Sequence, residues 1–245
     1  MRLDKFLCEC QNCTRTEAKQ FIKKGQVSVN GAVIKDAGFA VKEGSDSVLL
    51  SGKALEYKKF YYYVLNKPAG YVVSDSESDG IPAKNLLPEA FRERLKPVGR
   101  LDKDTSGILL FTDDGEFAHR LLAPKSHVSK TYLVGCEKDV TGEDLEKLRS
   151  GVNLGDGEES MPAEAEYAKG NNGAEINPDE EINPKEILLT IREGKYHQVK
   201  RMLAATCNKV TALKRIAFGN VRLSDFDLKE GEGVFTEKES IYVFQ

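Results

Sequence analysis

The chain has 245 residues, enough for one large domain or for a medium-sized and a small domain, each with its own core. Its hydrophobic content of 40% and charged content of 31% are typical of a globular protein and exclude a disordered chain. No apolar run reaches the roughly 18–20 residues of a membrane span, the N-terminus lacks a signal-peptide core, and an odd number of cysteines disfavours a disulfide framework. We therefore expect a cytoplasmic protein with reduced thiols.

The net charge of -3 conceals a segregation of charge along the chain. Residues 1–35 hold seven basic and three acidic side chains, for a net +4. Residues 187–218 hold seven basic and one acidic, for +6, whereas residues 137–186 hold five basic and fifteen acidic, for -10. This pattern favours a protein that grips a polyanion on one face, with ordinary solvated charge as the alternative.

Two short helices are predicted at the N-terminus. Leu3, Phe6 and Leu7 have helical spacing and form the expected inner face of the first helix. Thr14 stands three residues before Glu17, which predicts a capping box at the start of the second helix. The second helix is expected to bury Ala18, Phe21 and Ile22, to expose Arg15, Lys19 and Lys23, and to end at Gly25.

A β-hairpin follows these helices. Val27 and Val29 alternate with polar residues, Asn30-Gly31 is a turn pair, and Val33 begins the return strand. Another strand is predicted at 48–50.

These helices, together with the run GQVSVNGAVIKDAGFAVKEGSDSVLL, resemble the S4-type RNA-binding domain over residues 1–58. In that family the basic helix face lies against RNA phosphates, which supplies affinity without sequence choice. The resemblance implies that the following residues bind RNA: Arg2, Lys5, Arg15, Lys19, Lys23 and Lys24.

The rest of the chain is predicted to be rich in strands. FYYYVLNKPAGYVV predicts a strand, a turn and a second strand, and shorter strands are predicted in ILLFTDDG, KTYLVGCE, EILLTIREG, NVRL and IYVF. Helices are expected near 115–123, 141–149 and 197–207. Residues 170–186 are acidic and rich in Gly, Asn and Pro, which predicts an exposed loop.

The run GRLDKDTSGILLFTDDG at residues 99–115 has two interpretations. As an EF-hand calcium loop, Asp102 and Asp104 would be early ligands and Asp113 would take the twelfth position. That position is usually glutamate, however, and the apolar run at 108–111 is typical of a buried strand rather than a flanking helix. A calcium-binding protein is therefore the weaker alternative.

The second interpretation is a family resemblance. GRLDKDTSGILLFTDDGEFAH, preceded by LNKPAGYV and followed by KTYLV and EGKYHQVKRM, is similar to the signature of pseudouridine synthases of the ribosomal small-subunit type. The resemblance implies an α+β fold, with an S4-like domain at 1–58 and a catalytic domain at 59–245 on a mixed, mostly antiparallel sheet. It also implies isomerisation of uridine in RNA, which requires no cofactor because neither redox change nor an external group is involved.

The resemblance also assigns roles to residues. Asp102 matches the nucleophile, because a carboxylate can form and later release a covalent bond. Arg100 and Lys200 match the cations that keep it ionised, although many relatives have arginine in place of Lys200. Tyr132 matches an active-site tyrosine that stacks on the base or assists proton transfer. Three further residues are expected to bind the substrate: Leu213, Lys130 and Lys67.

Each of these assignments has a structural alternative. In these alternatives, Arg100 only braces its loop and Asp102 is a turn residue. Tyr132 is then a core residue of a strand, and Lys200 binds an RNA phosphate.

A metal site is not expected. The three histidines are scattered, and Cys8, Cys10 and Cys13 have no fourth ligand nearby, so ordinary thiols are the simpler interpretation.

The expected partner is small-subunit ribosomal RNA, because KTYLV and YHQVKRM most resemble the enzyme that acts on it. The target base must leave its stack to reach the catalyst. The alternatives are a pseudouridine synthase of large-subunit ribosomal RNA and a non-catalytic RNA-binding ribosome-assembly factor. We expect a monomer without membrane association.

Overall fold

The chain divides into two compact units, residues 1–60 and residues 61–245, each with a hydrophobic core of its own. This division lies two residues after the boundary predicted between 58 and 59. The computed structural model describes the following residues: 1–11, 13–74, 77–168 and 182–241.

The first unit begins with two helices, α1 (Leu3–Gln11) and α2 (Arg15–Lys23). The predicted inner face of α1 is confirmed, since its three apolar side chains are at most 3% exposed. On α2, Ala18 and Ile22 are buried as expected, whereas Phe21 is only partly buried.

The predicted capping box of α2 is confirmed. The Thr14 hydroxyl accepts a hydrogen bond from the Glu17 amide at 3.3 Å, and the Glu17 carboxylate accepts one from the Thr14 amide at 2.8 Å. These two bonds satisfy amide groups that a helix end otherwise leaves without partners.

A four-stranded antiparallel sheet completes the first unit. Its strands are β1 (Val27–Val29), β2 (Ala32–Val33), β3 (Val48–Leu50) and β4 (Lys53–Leu55). They lie in the order β2-β1-β3-β4. The predicted hairpin turn is present, with φ of +50° at Asn30 and +83° at Gly31, the left-handed values that a two-residue turn of this kind requires.

The second unit is built on a mixed sheet. The strands of this unit are β5 (Tyr62–Lys67), β6 (Tyr71–Val72), β7 (Ile81–Pro82), β8 (Lys96–Pro97), β9 (Ser106–Thr112), β10 (Lys130–Cys136), β11 (Asn153–Gly155), β12 (Glu158–Glu159), β13 (Glu164–Tyr167), β14 (Glu186–Ile191), β15 (Val210–Phe218), β16 (Val221–Arg222) and β17 (Gly233–Thr236). Strands β6 and β7 pair with each other, as do β11 and β12, outside the main sheet. The main sheet has the order β13-β14-β10-β15-β9-β5-β17, with β16 on β15 and β8 on β9. Among these described strands only β9 and β15 pair in parallel in the main sheet, which confirms the mixed, mostly antiparallel α+β fold.

Three helices belong to the second unit, close to their predicted positions: α3 (Gly115–Leu122), α4 (Gly142–Ser150) and α5 (Gln198–Ala205). Short 3-10 turns occur at Glu77–Asp79, Ala83–Leu86, Glu89–Phe91, Pro124–Ser126, Leu223–Asp225 and Lys238–Ile241. None of the helices that the structure describes has the length and apolarity of a membrane span.

Strand prediction failed mainly at β15, which lies at the centre of the sheet yet carries Lys214 and Arg215 instead of an apolar run. The strand predicted at 241–244 was wrong at Ile241, which ends a 3-10 turn, and its other residues lie outside the described part of the chain. Most of the loop predicted at 170–186 also lies outside it.

Strand β9 contradicts the calcium-loop alternative. Asp102 precedes this strand of seven residues and Asp113 follows it. Because a strand rises about 3.3 Å per residue, β9 spans roughly 20 Å, so residues on either side of it cannot surround one ion as the ends of a calcium loop do. Asp113 instead accepts hydrogen bonds from the Tyr61 amide at 2.7 Å and from Arg94 at 2.6 Å.

Candidate active site

The loop that carries Asp102 is held from below by Lys67. The Lys67 ammonium group donates to the backbone carbonyls of Pro68 at 3.0 Å, Asp102 at 3.3 Å and Thr105 at 2.7 Å. Its side chain is fully buried, and burial lowers the pKa of Lys67 to about 8. This placement corrects the expectation that Lys67 binds the substrate, because its donors are used to shape the loop and it has no exposed surface.

The side chain of Asp102 is partly exposed and contacts a lysine that lies 98 residues later in the sequence. Lys200, in the first turn of α5, places its Nζ 3.1 Å from Asp102 Oδ2 and 2.6 Å from Asp104 Oδ1. Burial opposes the charge of Lys200, yet hydrogen bonds with Asp104 and Asp102 raise its pKa. The hydrogen bond from Lys200 in turn lowers the pKa of Asp104. The expected cation beside Asp102 is therefore present as Lys200, 98 residues away in sequence.

A second group beside Asp102 is His197, which the sequence interpretation set aside as one of three scattered histidines. Its Nε2 lies 3.7 Å from Asp102 Oδ1. His197 has a left-handed backbone, with φ of +48°, immediately before α5. Its position three residues before Lys200 is the sequence signal that could have indicated it.

Arg100 was expected to lie beside Asp102 as a further cation. It is exposed and lines the same cleft, but the basic side chains within 4 Å of the Asp102 carboxylate among the described residues are those of Lys200 and His197. A catalytic role for Arg100 stays a prediction.

Two neighbouring strands form one wall of the site. Tyr132 on β10 is directly opposite Arg215 on β15, and Leu213 is opposite Val134 two residues further. Tyr132 and Leu213 are each 8% exposed and both line the cleft, and their contact with the substrate stays a prediction.

Arg215 is the main functional candidate that sequence reasoning missed. It is 2% exposed; its Nε donates to the Ile108 carbonyl at 2.9 Å, and within the described chain its Nη2 has no hydrogen-bond partner. Burial lowers the pKa of Arg215, while a hydrogen bond with Tyr132 acts in the opposite direction. Buried charges are costly unless they are paired, so this arginine calls for a functional explanation.

The approach of β15 to β9 depends on a glycine. Gly107 pairs with Arg215, and a Cβ atom at Gly107 would lie 2.1 Å from the Arg215 carbonyl oxygen. Gly107 also has φ of +106°, which residues with a side chain rarely adopt. The glycine of the TSG segment in the sequence motif is thus required where the Asp102 loop enters the sheet.

Lys130 lines the cleft and is half-buried. Its Nζ donates to the Val128 carbonyl at 2.8 Å and lies 5.8 Å from the centre of the Phe218 ring. Burial lowers the pKa of Lys130 to about 8, and the nearby Arg215 adds to this effect. Its exposure to the cleft is compatible with the predicted substrate contact.

Asp102, His197 and Lys200 line one open cleft of about 760 Å³. Among the described residues, its lining carries basic side chains at seven positions: Arg100, Lys103, Lys130, Arg192, Lys195, Lys200 and Arg215. Three carboxylates line it: Asp79, Asp102 and Glu193. A cleft of this size with an excess of positive charge, a carboxylate and an apolar wall suits an anionic nucleotide substrate.

In the first unit, the six residues predicted to bind RNA all have exposed side chains. Arg2 is engaged with Asp4, to which it donates two hydrogen bonds of 2.9 and 3.1 Å. Arg15, Lys19 and Lys23 lie on the outer side of α2, as their helical spacing predicted.

Comparison with known proteins matches both units. The family described as RNA pseudouridylate synthase matches residues 61–205, and the S4 domain matches residues 1–47. The chain belongs to the RNA pseudouridine synthase family. The S4 match of this pseudouridine synthase covers α1, α2 and the strands β1 and β2. The match to the catalytic domain includes the Asp102 loop, Tyr132 and Lys200.

Relatives match this pseudouridine synthase over nearly their full length. An uncharacterized RNA pseudouridine synthase of Bacillus subtilis is 41% identical over 95% of this chain and 93% of its own. The ribosomal small subunit pseudouridine synthase A of Vibrio cholerae is 39% identical over 98% of each chain. A crystal structure of a pseudouridylate synthase superposes with a TM-score of 0.66, at 34% identity over 99% of each chain.

Proposed function

We propose that this pseudouridine synthase converts a uridine of small-subunit ribosomal RNA to pseudouridine, with Asp102 as the nucleophile. The observation that carries the assignment of Asp102 is its partly exposed carboxylate in a basic cleft, 3.1 Å from the Lys200 ammonium group. The substrate is inferred from the 39% identity, over 98% of each chain, to the Vibrio cholerae enzyme named for the ribosomal small subunit.

The reaction proceeds from a uridine that has left its stack and entered the cleft. The Asp102 carboxylate attacks the nucleotide and forms a covalent bond while the N-glycosidic bond breaks. The uracil turns within the cleft and rejoins the sugar through carbon 5, and Asp102 is released. The proton at carbon 5 is lost and nitrogen 1 takes up a proton, so the product is an isomer of the substrate. Lys200 supplies the counter-charge to the Asp102 carboxylate before the covalent bond forms and after it breaks.

The wall of the cleft orients the base during this rotation. The Tyr132 ring and the Leu213 side chain provide apolar surface for the uracil. The Tyr132 hydroxyl assists proton transfer, and Arg100, at the exposed edge of the cleft, binds the phosphate of the target or of its neighbour.

Release of tritium from RNA labelled at carbon 5 of uridine tests this proposal. Small-subunit ribosomal RNA, large-subunit ribosomal RNA and small-subunit assembly intermediates are compared as substrates, with Asp102→Asn as the inactive control. Release only from large-subunit RNA overturns the proposed substrate. Binding of ribosomal RNA without release from any of the three favours the non-catalytic assembly factor.

The proposal also includes action as a monomer in the cytoplasm, where ribosomal RNA is assembled into subunits. Light scattering of the purified protein, with and without an RNA fragment, measures the number of protein copies in the particle. A dimer in both states contradicts the monomer.

A further inference from the structure

Tyr196 stands at the rim of the cleft with an unusually bare aromatic ring. It is 73% exposed, more than any other large hydrophobic side chain in the described part of the chain. Its ring stacks on the His197 ring, with centroids 3.9 Å apart and an angle of 18° between the planes. One face of Tyr196 is therefore covered by His197, and most of the remaining ring is open to solvent.

The segment 193–198, which carries these two rings and is called the platform below, is held in place by hydrogen bonds. The Gln198 side chain donates to Glu193 at 2.7 Å and accepts from the Lys195 amide at 2.9 Å. Gln198 is itself 4% exposed, so this bracing lies beneath the surface. His197 is kept in a left-handed backbone conformation that residues other than glycine rarely adopt. Strain of this kind persists only where the surroundings enforce it, which indicates a preorganised platform.

The platform connects the candidate nucleophile to the rim of the cleft. His197 Nε2 is 3.7 Å from Asp102 Oδ1 at one end, and Tyr196 is the outermost ring at the other. Arg100 and Lys103 have exposed side chains that line the same cleft. Cations and a bare aromatic ring in one cleft are the combination by which proteins hold single-stranded RNA, with phosphates on the cations and bases on the ring.

We propose that Tyr196 is a stacking site for the nucleobase next to the target uridine. This inference rests on the proposed function for the position of the target beside Asp102. When the target uridine leaves its stack, the neighbouring base loses a stacking partner, and the open face of Tyr196 replaces it. Since every base has a π-face, the site accepts any of the four bases and supplies affinity rather than sequence choice.

Fluorescence of a base analogue tests the stacking directly. The probe is a short single-stranded oligocytidine that contains one uridine, with 2-aminopurine on the 5′ or the 3′ side of that uridine. The Asp102→Asn enzyme is used as the background, so that no turnover occurs during the measurement. We expect quenching on binding for one of the two positions, and its loss in the additional variant Tyr196→Ala.

The matched control is Tyr196→Phe, which keeps the ring and removes only the hydroxyl. We expect this control to quench the 2-aminopurine fluorescence as the parent enzyme, Asp102→Asn, does. Tyr196→Ala should bind the probe about tenfold more weakly than the parent enzyme. Replacing the 2-aminopurine by an abasic nucleotide should lower the affinity of the parent enzyme, Asp102→Asn, for the probe by a similar factor. The affinity of the Tyr196→Ala variant should stay almost unchanged.

The proposal is overturned if the parent enzyme quenches the fluorescence of neither probe. It is also overturned if Tyr196→Ala quenches the probe, and binds it, as strongly as the parent enzyme does. These outcomes differ from a failure of the proposed function, which is judged by tritium release from ribosomal RNA with Asp102 intact. Tyr196→Ala should raise the KM of that reaction while the single-turnover rate at saturating RNA stays within about twofold.

Discussion

The Lys200 ammonium group lies 3.1 Å from the Asp102 carboxylate and joins two segments that are 98 residues apart in sequence. It is also 2.6 Å from Asp104, so that one cation serves two carboxylates. Because Asp104 is 70% exposed and Asp102 is 33% exposed, the contact with Asp102 is the less screened of the two. Variants can therefore separate the proposed catalytic role of this lysine from its contact with Asp104.

Replacing Lys200 by methionine removes the counter-charge of Asp102. We expect the single-turnover rate to fall about 10²-fold, the usual effect of losing one preorganised charge at a reacting group, with little change in RNA affinity. Lys200→Arg should retain more of the rate, and Asp104→Asn, the control for the exposed contact, most of it. An unchanged rate together with weakened RNA binding would instead identify Lys200 as a phosphate ligand.

Asp102→Asn tests the nucleophile with a side chain of nearly the same size. We expect no detectable tritium release, because an amide cannot form and release the covalent bond, whereas RNA affinity should stay within a few-fold of the wild type. Affinity is measured by filter binding on the same RNA. Normal turnover in this variant would remove Asp102 from the mechanism.

Arg215 should be important for activity and unfavourable for stability. It is 2% exposed, and among the described residues its Nη2 has no hydrogen-bond partner. Replacing a buried charge by an apolar side chain of similar length is often neutral or stabilising. We expect Arg215→Met to keep or raise the melting temperature while the single-turnover rate falls, because Tyr132 loses its cross-strand partner. Thermal denaturation and tritium release on the same preparation measure both effects.

The matched background for Arg215 is Tyr132→Phe. If Arg215 acts through the tyrosine hydroxyl, Arg215→Met should slow this variant much less than it slows the wild type. Equal slowing in both backgrounds would show that Arg215 acts independently of that hydroxyl.

The Lys130 side chain predicts a pH dependence of RNA binding. Its pKa of about 8 means that it is charged below pH 8 and loses its charge above it. An RNA phosphate stabilises the charged form and raises the pKa in the complex, so affinity should fall as pH increases through the free value of about 8. Titration of RNA at constant salt between about pH 7 and pH 9 measures this fall.

Lys130→Arg separates this residue from Lys67, whose pKa is also about 8. Arginine stays charged across this pH range, so the variant should lose most of the pH dependence. If the fall in affinity is the same with arginine at position 130, another group is responsible.

The outer face of α2 predicts the salt dependence of binding. Lys19 and Lys23 are exposed one turn apart, and each phosphate contact contributes about one to the slope of log affinity against log salt. We expect Lys19→Gln with Lys23→Gln to reduce this slope by about two, and to leave the single-turnover rate at saturating RNA unchanged. An unaltered slope would mean that this face does not contact RNA.

Local sequence determined most of the secondary structure. The capping box of Thr14 and Glu17, the turn at Asn30 and Gly31, and the apolar run within β9 depend on neighbouring residues, and all were predictable. The family resemblance added Asp102 and its expected partner Lys200 because those residues stand within recognisable motifs.

Only the tertiary structure decided what surrounds those residues. Strand β15 has no local signal, because it is stabilised by β10 and β9 on its two sides rather than by an apolar sequence. Its pairing places Arg215 opposite Tyr132, and the burial of Lys67 beneath the Asp102 loop turns an expected substrate ligand into a structural support. The charge and accessibility of a side chain depend on partners that are distant in sequence, and a linear motif does not encode where those partners lie.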